Sequence, residues 1–565
     1  MQRRKARAAC GGGGSAAEPR RGPGGEAGAT ATAAARAAGG GAETTSEILG
    51  IARGGGLNLL GQVCGQVAAL GATMLLAWRL GTDDVGRYAQ AFAFLSLLGL
   101  LSLSGFRSGL TRFVAVHLAE GDPLALRATV RLGIGLTTAV AVVLALGLHL
   151  AAPWLARAVF HDAGLLPPLR AVALALPAAT FTDSALAATQ GFRTMRPFAL
   201  IGLVFEPLAL VAGSAALLAA DAGLEGVMTA LVAANLAAAA LAAVALWRLL
   251  RMVPAPAQPH AGPCAGPHLG AHAGAGLREL FGFSLVSWGA SLASAGLIWA
   301  DTILLGAMRS SAEVGVYNVA TRLVTLATFV MPAINSALGP RIANLYHRGR
   351  HDSLHSAYTV ATSWIVRLSL PAFIALLAFP GELLRLFGGG FGAGAAVTAI
   401  LAAGKLVDAA TGPCGLMLNM SGRPLWSMID NLAVLVLNVA LNLWLIPSHG
   451  IAGAAIAWSV SLGAVNLARV VQVWSCLRML PFDVGVLKGI LAGAAALAAG
   501  LAAHRLLGSL DAWDTVTLAL VLIVEIYLGL VAVLGIGPED RLVLESLLRR
   551  SRGGPFWSGL RGTTT

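Results

Sequence analysis

The sequence predicts an all-α integral membrane protein, with about 14 transmembrane helices in two parallel six-helix bundles plus a C-terminal helical pair. Three observations predict it. Of the 565 residues 57% are apolar and 12% charged, and the mean hydropathy is +0.76, far above that of soluble domains. Apolar runs of about 20 residues, the length that crosses a hydrocarbon core of roughly 30 Å, recur from Leu57 almost to the C-terminus. The runs also repeat each other in register.

Residues 1–50 open the chain with Arg3, Arg4, Lys5 and Arg7 followed by Gly/Ala-rich sequence. They hold too few large apolar residues to build a core, so they read as a disordered cytoplasmic tail. No hydrophobic stretch separates Arg3-Arg4 from Cys10, which excludes twin-arginine and lipoprotein signals. The first bundle, 51–252, carries expected spans Leu57–Trp78, Gly86–Phe106, Val130–Leu155, Leu169–Thr189, Pro197–Ala219 and Gly223–Trp247. Residues 253–278, rich in Pro, Gly and Ala, read as a flexible cytoplasmic linker. The second bundle, 279–480, carries Phe281–Ala307, Val314–Leu338, Tyr358–Phe379, Gly394–Met417, Leu425–Ile446 and Gly450–Cys476. Residues 481–536 add Val484–Ala503 and Trp513–Leu534, and 537–565 form a cytoplasmic C-terminal tail.

The repeat fixes how the bundles relate. Val85-Gly86-Arg87-Tyr88 is echoed by Val314-Gly315-Val316-Tyr317 at an offset of 229, and Arg112 maps to Arg341 at the same offset. Arg157 and Phe160 find Arg385 and Phe387 at nearly the same offset. At an offset of 227, Arg196-Pro197 pairs with Arg423-Pro424, Gly223 and Gly226 with Gly450 and Gly453, Trp247 with Trp474, and Arg251-Met252 with Arg478-Met479. Six spans per unit give both copies the same orientation, so the pseudo-twofold axis runs along the membrane normal. Two such bundles enclose a central cavity that rocking opens to either face.

The net charge of +12 reflects orientation rather than nucleic-acid binding. With the N-terminus inside, and with residues in about the first turn of a span counted with the adjoining loop, 28 of the 39 Lys and Arg residues fall on the inside, seven outside and four deeper within spans, which places both termini in the cytoplasm. Cys10, Cys64, Cys264, Cys414 and Cys476 form no C-x-x-C pair, so neither a disulfide framework nor a zinc site is indicated. His260, Cys264, His268 and His272 recur every four residues, but in Gly/Pro-rich sequence that should not hold a helix. His347, His351 and His355 read as the solvated face of a helix extension. No metal and no cofactor is expected. Asp83-Asp84 resembles the acidic pair of membrane glycosyltransferases, yet its repeat counterpart is Ala312-Glu313, which makes it a polar turn. No phosphate-binding G-x-x-x-x-G-K-[ST] loop occurs.

Ionisable groups inside spans cost roughly 2.5–3.5 kcal/mol each and so tend to face a wet cavity or a partner. They are Asp183, Glu206, Asp301, Arg322, Arg367, Lys405, Asp408, Asp430, Arg469 and Glu525. Asp301 and Arg322 lie at similar distances on either side of the turn at Ser311, so an ion pair between them is expected, either as a structural lock or as a cavity gate. Lys405 and Asp408, three apart, share a helical face. Arg367 lacks a counterpart in its own helix and is the foremost candidate for binding a substrate anion, the alternative being an ion pair with Glu206 or Asp408. The guanidinium fork suits phosphate. The cavity candidates are therefore Arg367, Lys405, Arg322, Asp301, Asp408 and Glu206, with no catalytic residue.

Leu80-Gly81 through Val85-Gly86-x-Tyr88, Arg112-Phe113-Val114-Ala115 and Glu120-Gly121-Asp122 resemble the start of the polysaccharide (O-antigen type) flippases of the multidrug/oligosaccharidyl-lipid/polysaccharide exporter superfamily. Asp301-Thr-Ile-Leu-Leu-Gly306 with Val314-Gly315-x-Tyr317 is similar to the seventh and eighth helices of that family. The resemblance implies a non-enzymatic transporter of undecaprenyl-diphosphate-linked oligosaccharide in the plasma (inner) membrane, working by alternating access for cell-surface polysaccharide biosynthesis. It further implies a cationic cavity, a coupling ion (H+ or Na+), and a polysaccharide polymerase or export machinery as partner. The helical pair after Val484 favours a lipid-linked cargo. The alternatives are a cation-coupled multidrug antiporter of the same superfamily and a membrane enzyme of cell-envelope glycan assembly.

Overall fold

The computed structural model describes residues 26–103, 105–192, 194–253, 295–482, 484–507 and 512–534. The linker beyond Val253, with its His/Cys series, and the C-terminal tail lie outside the described residues. The chain divides into two compact units, Met1–Leu57 and Asn58–Thr565. In the first, a helix begins at Glu26. The alanine content of this stretch favours a helix.

Helix is the only regular secondary structure among the described residues of the second unit, with no strand among them. Helix α1 (Glu26–Leu103) is broken at Gly81, where φ is 79°. Then come α2 (Phe106–Glu120), α3 (Pro123–Trp154), α4 (Leu166–Gly191), α5 (Glu206–Ala219) and α6 (Gly223–Met252). After the linker follow α7 (Ala295–Met308), α8 (Ser311–Ala327), α9 (Val330–His347), α10 (His351–Ala378), α11 (Pro380–Arg385) and α12 (Ala395–Thr411). The last are α13 (Cys414–Met420), α14 (Pro424–Leu477, broken at Gly450), α15 (Val484–Leu507) and α16 (Ala512–Leu534). Among the described residues ten helices are long and apolar enough to cross a membrane, or eleven when the bent pair α8 and α9 counts as one span. The difference from about 14 has local causes. Gly61–Leu103 and Leu425–Leu477 each run over two expected spans, joined through a single non-helical glycine in place of a loop, and the expected span Phe281–Ala307 begins outside the described residues, which hold only its shorter part α7.

Local sequence explains the boundaries. Asp122 caps α3, its Oδ1 accepting from the N–H groups of Leu124 (3.0 Å) and Ala125 (2.9 Å), while Pro123 occupies the first turn, where no N–H is needed. Ser310 caps α8 by accepting from Glu313 N–H at 3.3 Å, within a Ser-x-x-Glu capping sequence. Before α5, residues Phe198–Phe205 widen into a π-helix. Pro207 contributes: it lacks the N–H that would bond the carbonyl four residues back.

Several repeat pairs adopt the same geometry. Gly223 and Gly450 both have φ of 56°. Arg251 lies over the Trp247 ring at 3.6 Å and Arg478 over Trp474 at 4.9 Å. Phe160 and Phe387 are both buried. The Gly86 and Gly315 backbones pack directly together: a Cβ on Gly86 would lie 2.9 Å from Gly315 N, and one on Gly315 3.0 Å from Gly86 N. Only glycine permits so close a crossing. The apolar core runs across this contact, holding Val85 and Ala89 with Val314, Val316 and Tyr317.

Candidate functional site

Beneath the Gly86–Gly315 contact lies a cavity of about 530 Å³. One wall is a face of α1, along which Val85, Tyr88, Ala89, Phe92, Leu95, Ser96, Gly99 and Leu103 recur at helical spacing. From α2 comes Arg107, from α4 Asp183, from α5 Glu206 at the end of the π-helical segment, and from α6 Asn235. The C-terminal repeat supplies Trp299 from α7, and Asn318 and Arg322, one turn apart on α8. Asp183 is within electrostatic reach of both Arg107 and Glu206, and Arg322 is within reach of Tyr88. From Tyr88 to Leu103 the α1 wall is about 22 Å long at 1.5 Å per residue.

The charged groups brought together in this cavity are not satisfied by the protein. Among the described residues, the side chains of Arg322, Asp183, Glu206 and Asn318 make no hydrogen bond and no ion pair, and Arg107 only lies over the Phe198 ring at 5.6 Å. Polar groups at such depth without internal partners are poised for a ligand or for water.

The structure sorts the six sequence candidates. Arg322 and Glu206 line this cavity; Arg367, Lys405, Asp301 and Asp408 do not, and each has partners within the protein. Arg367 turns toward α15, where its Nη2 and Nε donate to the Gly485 carbonyl at 3.1 and 3.4 Å. Lys405 Nζ bonds Asp408 Oδ2 at 2.8 Å, as their shared face implies, and Asn466 donates to Asp408 Oδ1 at 2.8 Å. The expected Asp301–Arg322 pair is absent among the described residues. Asp301 instead accepts from Tyr317 OH at 2.9 Å and from Asn442 Nδ2 at 2.6 Å. Tyr317 precedes Arg322 by five residues, a rotation of about 140° on the helix, so α8 cannot aim both side chains at Asp301. Asp183 was legible as an intramembrane charge. Arg107 was missed because hydropathy places it just past the end of the second span; the break at Gly105, φ 74°, turns α2 so that Arg107 lines the cavity.

At the Gly86–Gly315 end a polar cluster joins the repeats. Arg87 holds Asp162 through two bonds, Nε to Oδ2 at 2.8 Å and Nη2 to Oδ1 at 3.1 Å, and holds Asp84 at 2.8 Å. Ser311, at the start of α8, donates to Asp162 Oδ2 at 2.6 Å and accepts from Gln90 Nε2 at 3.3 Å. Burial alone would raise the Asp162 carboxyl's pKa, but the hydrogen bonds from Arg87, Ser311 and the Gly164 N–H outweigh it and hold the group below its ordinary value. Near the other end, His355 Nε2 lies 3.3 Å from the Leu480 carbonyl. No cluster of three or more His, Cys, Asp or Glu side chains that could hold a metal occurs among the described residues.

A family model described as polysaccharide biosynthesis protein matches residues 51–346. The chain belongs to this family. A second model, MatE, matches residues 289–444, so the two matches together run from the start of the first repeat through most of the second. Two relatives from Haloferax volcanii, the probable low-salt glycan biosynthesis flippase Agl15 and the probable flippase AglR, are each 28% identical to this chain, over 190 and 196 residues. Those alignments cover 34% of this chain and 40% and 41% of the relatives, so the chain matches about two fifths of their length. The fold is similar to that of the lipid II flippase MurJ in its inward closed conformation, with a TM-score of 0.61, 10% identity, and coverage of 87% of this chain and 98% of that one. It is also similar to an inward-facing multidrug resistance MATE family transporter of the MOP superfamily, with a TM-score of 0.52, 14% identity, and coverage of 76% and 95%. At such identities the likeness concerns the fold. This member of the polysaccharide biosynthesis family is therefore a multi-pass membrane protein with the MOP architecture.

Proposed function

We propose that the chain is a flippase, a transporter rather than an enzyme, that moves polyprenyl-diphosphate-linked oligosaccharide across the plasma membrane by alternating access. The observation that carries this reading is the cavity: two arginines, one from each repeat, stand in it without internal hydrogen bonds or ion pairs, under a glycine contact that closes one end. A diphosphate needs concentrated positive charge and must also be released. Asp183 and Glu206 temper Arg107 and Arg322 so that binding does not become too tight. Opening the Gly86–Gly315 end requires the repeats to part there, breaking the Ser311–Asp162 hydrogen bond while Arg87–Asp162 stays within the first repeat.

The finer parts of the reading follow. The bundles are residues 51–252 and 279–480, and both termini are cytoplasmic, because Lys and Arg are biased fourfold to that side. A coupling ion, H+ or Na+, drives turnover. Asp301 suits it, being buried against the neutral groups of Tyr317, Asn442 and Asn438. A polymerase or export partner receives the product. Asp183 and Glu206 in the same cavity favour a second reading, a cation-coupled multidrug antiporter.

The test is deletion of the gene with analysis of membrane lipids. Accumulation of a polyprenyl-diphosphate oligosaccharide, relieved by the wild-type chain and not by the double variant Arg107→Ala/Arg322→Ala, supports the flippase. An unchanged lipid pool together with new sensitivity to cationic drugs supports the antiporter.

A further inference from the structure

Three aromatic rings meet in the cavity wall: Tyr88 stacks on Phe92 with centroids 6.0 Å apart and an interplanar angle of 24°, and Phe92 meets Trp299 edge-on at 5.7 Å. Tyr88 and Phe92 are one turn apart on α1, whereas Trp299 comes from α7, so the cluster bridges the repeats. All three are partly exposed and line the cavity.

The polar atoms of the Tyr88 and Trp299 rings border the cavity without a bond to the protein. Buried Tyr and Trp normally find a partner for the O–H or N–H. Tyr317 does, at 2.9 Å from Asp301, and Tyr358 does, at 3.4 Å from the Thr411 carbonyl, whereas Tyr527 OH, in the core against α10 and α15, has none. Among the described residues neither Tyr88 OH nor Trp299 Nε1–H has one. Beside them on α8 stand the amide of Asn318 and the guanidinium of Arg322, without internal hydrogen bonds either.

We propose that Tyr88, Phe92 and Trp299 form the seat of the saccharide ring bonded to the diphosphate, with Arg322 taking the adjacent phosphate. The inference rests on the flippase reading above and specifies its headgroup site. A pyranose presents an apolar C–H face and a rim of hydroxyls. The negative faces of the aromatic rings match the first, and Tyr88 OH, Trp299 Nε1–H and the Asn318 amide match the second. A mostly apolar wall with a few convergent polar groups is the usual form of a small-molecule site. The neighbouring Arg322 selects among ligands that stack on aromatics: it attracts a diphosphate and repels an organic cation, whose carboxylate partners Asp183 and Glu206 stand on α4 and α5. Because Phe92 and Trp299 belong to different repeats, a ring seated on them touches both halves that must move.

Binding to the purified full-length protein in nanodiscs tests this, with three probes: decaprenyl diphosphate, the same lipid bearing an N-acetylglucosamine disaccharide, and tetraphenylphosphonium. The wild type should bind the saccharide probe about tenfold more tightly than the bare diphosphate, the upper end of what a well-placed aromatic contact supplies. Trp299→Ala should erase that ratio while leaving the affinity for bare diphosphate and the melting temperature unchanged. Trp299→Phe should keep part of the ratio, and Arg322→Ala should weaken both lipids alike. The seat is overturned if the wild type shows no saccharide preference, or if Trp299→Ala at normal stability leaves the ratio intact or weakens both lipids equally. It is likewise overturned if Trp299→Ala changes only the binding of tetraphenylphosphonium. Failure of the wild type to bind either lipid would instead sink the flippase reading itself.

Discussion

Substituting Gly86 by alanine should shift the protein away from the closed contact at that end, and the size of the shift follows from what the new methyl meets. A Cβ on Gly86 would overlap the Ser311 carbonyl oxygen and lie 2.6 Å from its carbon and 2.9 Å from Gly315 N. All are backbone atoms at the start of α8 that no rotamer change can move. Overpacking of this kind costs about 1–3 kcal/mol, and because the contact exists only in the closed arrangement, the cost becomes an increase of about 5- to 150-fold in the open-to-closed ratio. The assay is labelling of Ser96→Cys, a cavity position, in a cysteine-free background with an impermeant maleimide added at the Gly86 face of intact cells. Gly135→Ala serves as control, because nothing lies within 4 Å of its Cβ. Gly86→Ala should raise the labelling rate by the stated factor and Gly135→Ala should leave it unchanged. A Gly86→Ala protein that labels at the parental rate, with an unchanged melting temperature, would refute the account of the closure.

Three further outcomes follow. Asp162→Asn weakens the bonds from Arg87 and Ser311, so it should raise the same labelling rate at neutral pH. The Asp162 pKa is depressed in the folded state, so its contribution is fully present above the ordinary carboxylate value near 4 and is lost only as pH falls through the lower folded value; wild-type labelling should therefore show no Asp162-dependent change between pH 8 and 5. Arg367→Ala should loosen α15 against α10 and lower the melting temperature, by the equivalent of about 1.5–3 kcal/mol for hydrogen bonds to a charged donor, while transport per folded molecule persists; loss of transport at unchanged stability would return Arg367 to the substrate site. Lys405→Met should destabilise by about 3–5 kcal/mol because it strands the Asp408 carboxylate, and the double variant Lys405→Met/Asp408→Leu should recover most of that in a thermal-unfolding cycle, whereas simple additivity would show the pair to be uncoupled.

The helical membrane fold and the repeat were legible because they depend on quantities a sequence displays directly, the length of apolar runs and the recurrence of glycines, arginines and tryptophans at fixed offsets. Gly223 and Gly450 recur because both occupy positive φ. The cavity was legible only in part. Counting residues from a turn gives a side chain's depth but not its direction around the helix, so Asp301 and Arg322 looked paired when α8 presents Tyr317 to Asp301 instead. Within one helix, spacing does fix direction, and so the Lys405–Asp408 contact was recoverable. Arg367 drew attention for lacking a counterpart in its own helix, yet it bonds a backbone carbonyl of α15, which no pattern of side chains reveals. Arg107 fell on the wrong side of a hydropathy boundary, and the aromatic cluster of Tyr88, Phe92 and Trp299 joins residues more than two hundred positions apart.

The central claim, that the arginines of the cavity carry a lipid diphosphate across the bilayer, is tested most directly by reconstitution. Proteoliposomes would contain the purified chain and a polyprenyl-diphosphate disaccharide with a fluorophore on the sugar, and an impermeant quencher would be added outside. The account predicts that the wild type lets quenching proceed well past the half of the signal that the outer leaflet holds, while Arg107→Ala/Arg322→Ala, equally folded, stops near half. Quenching that stops near half with the wild type, or that runs to completion with the double variant, would contradict it.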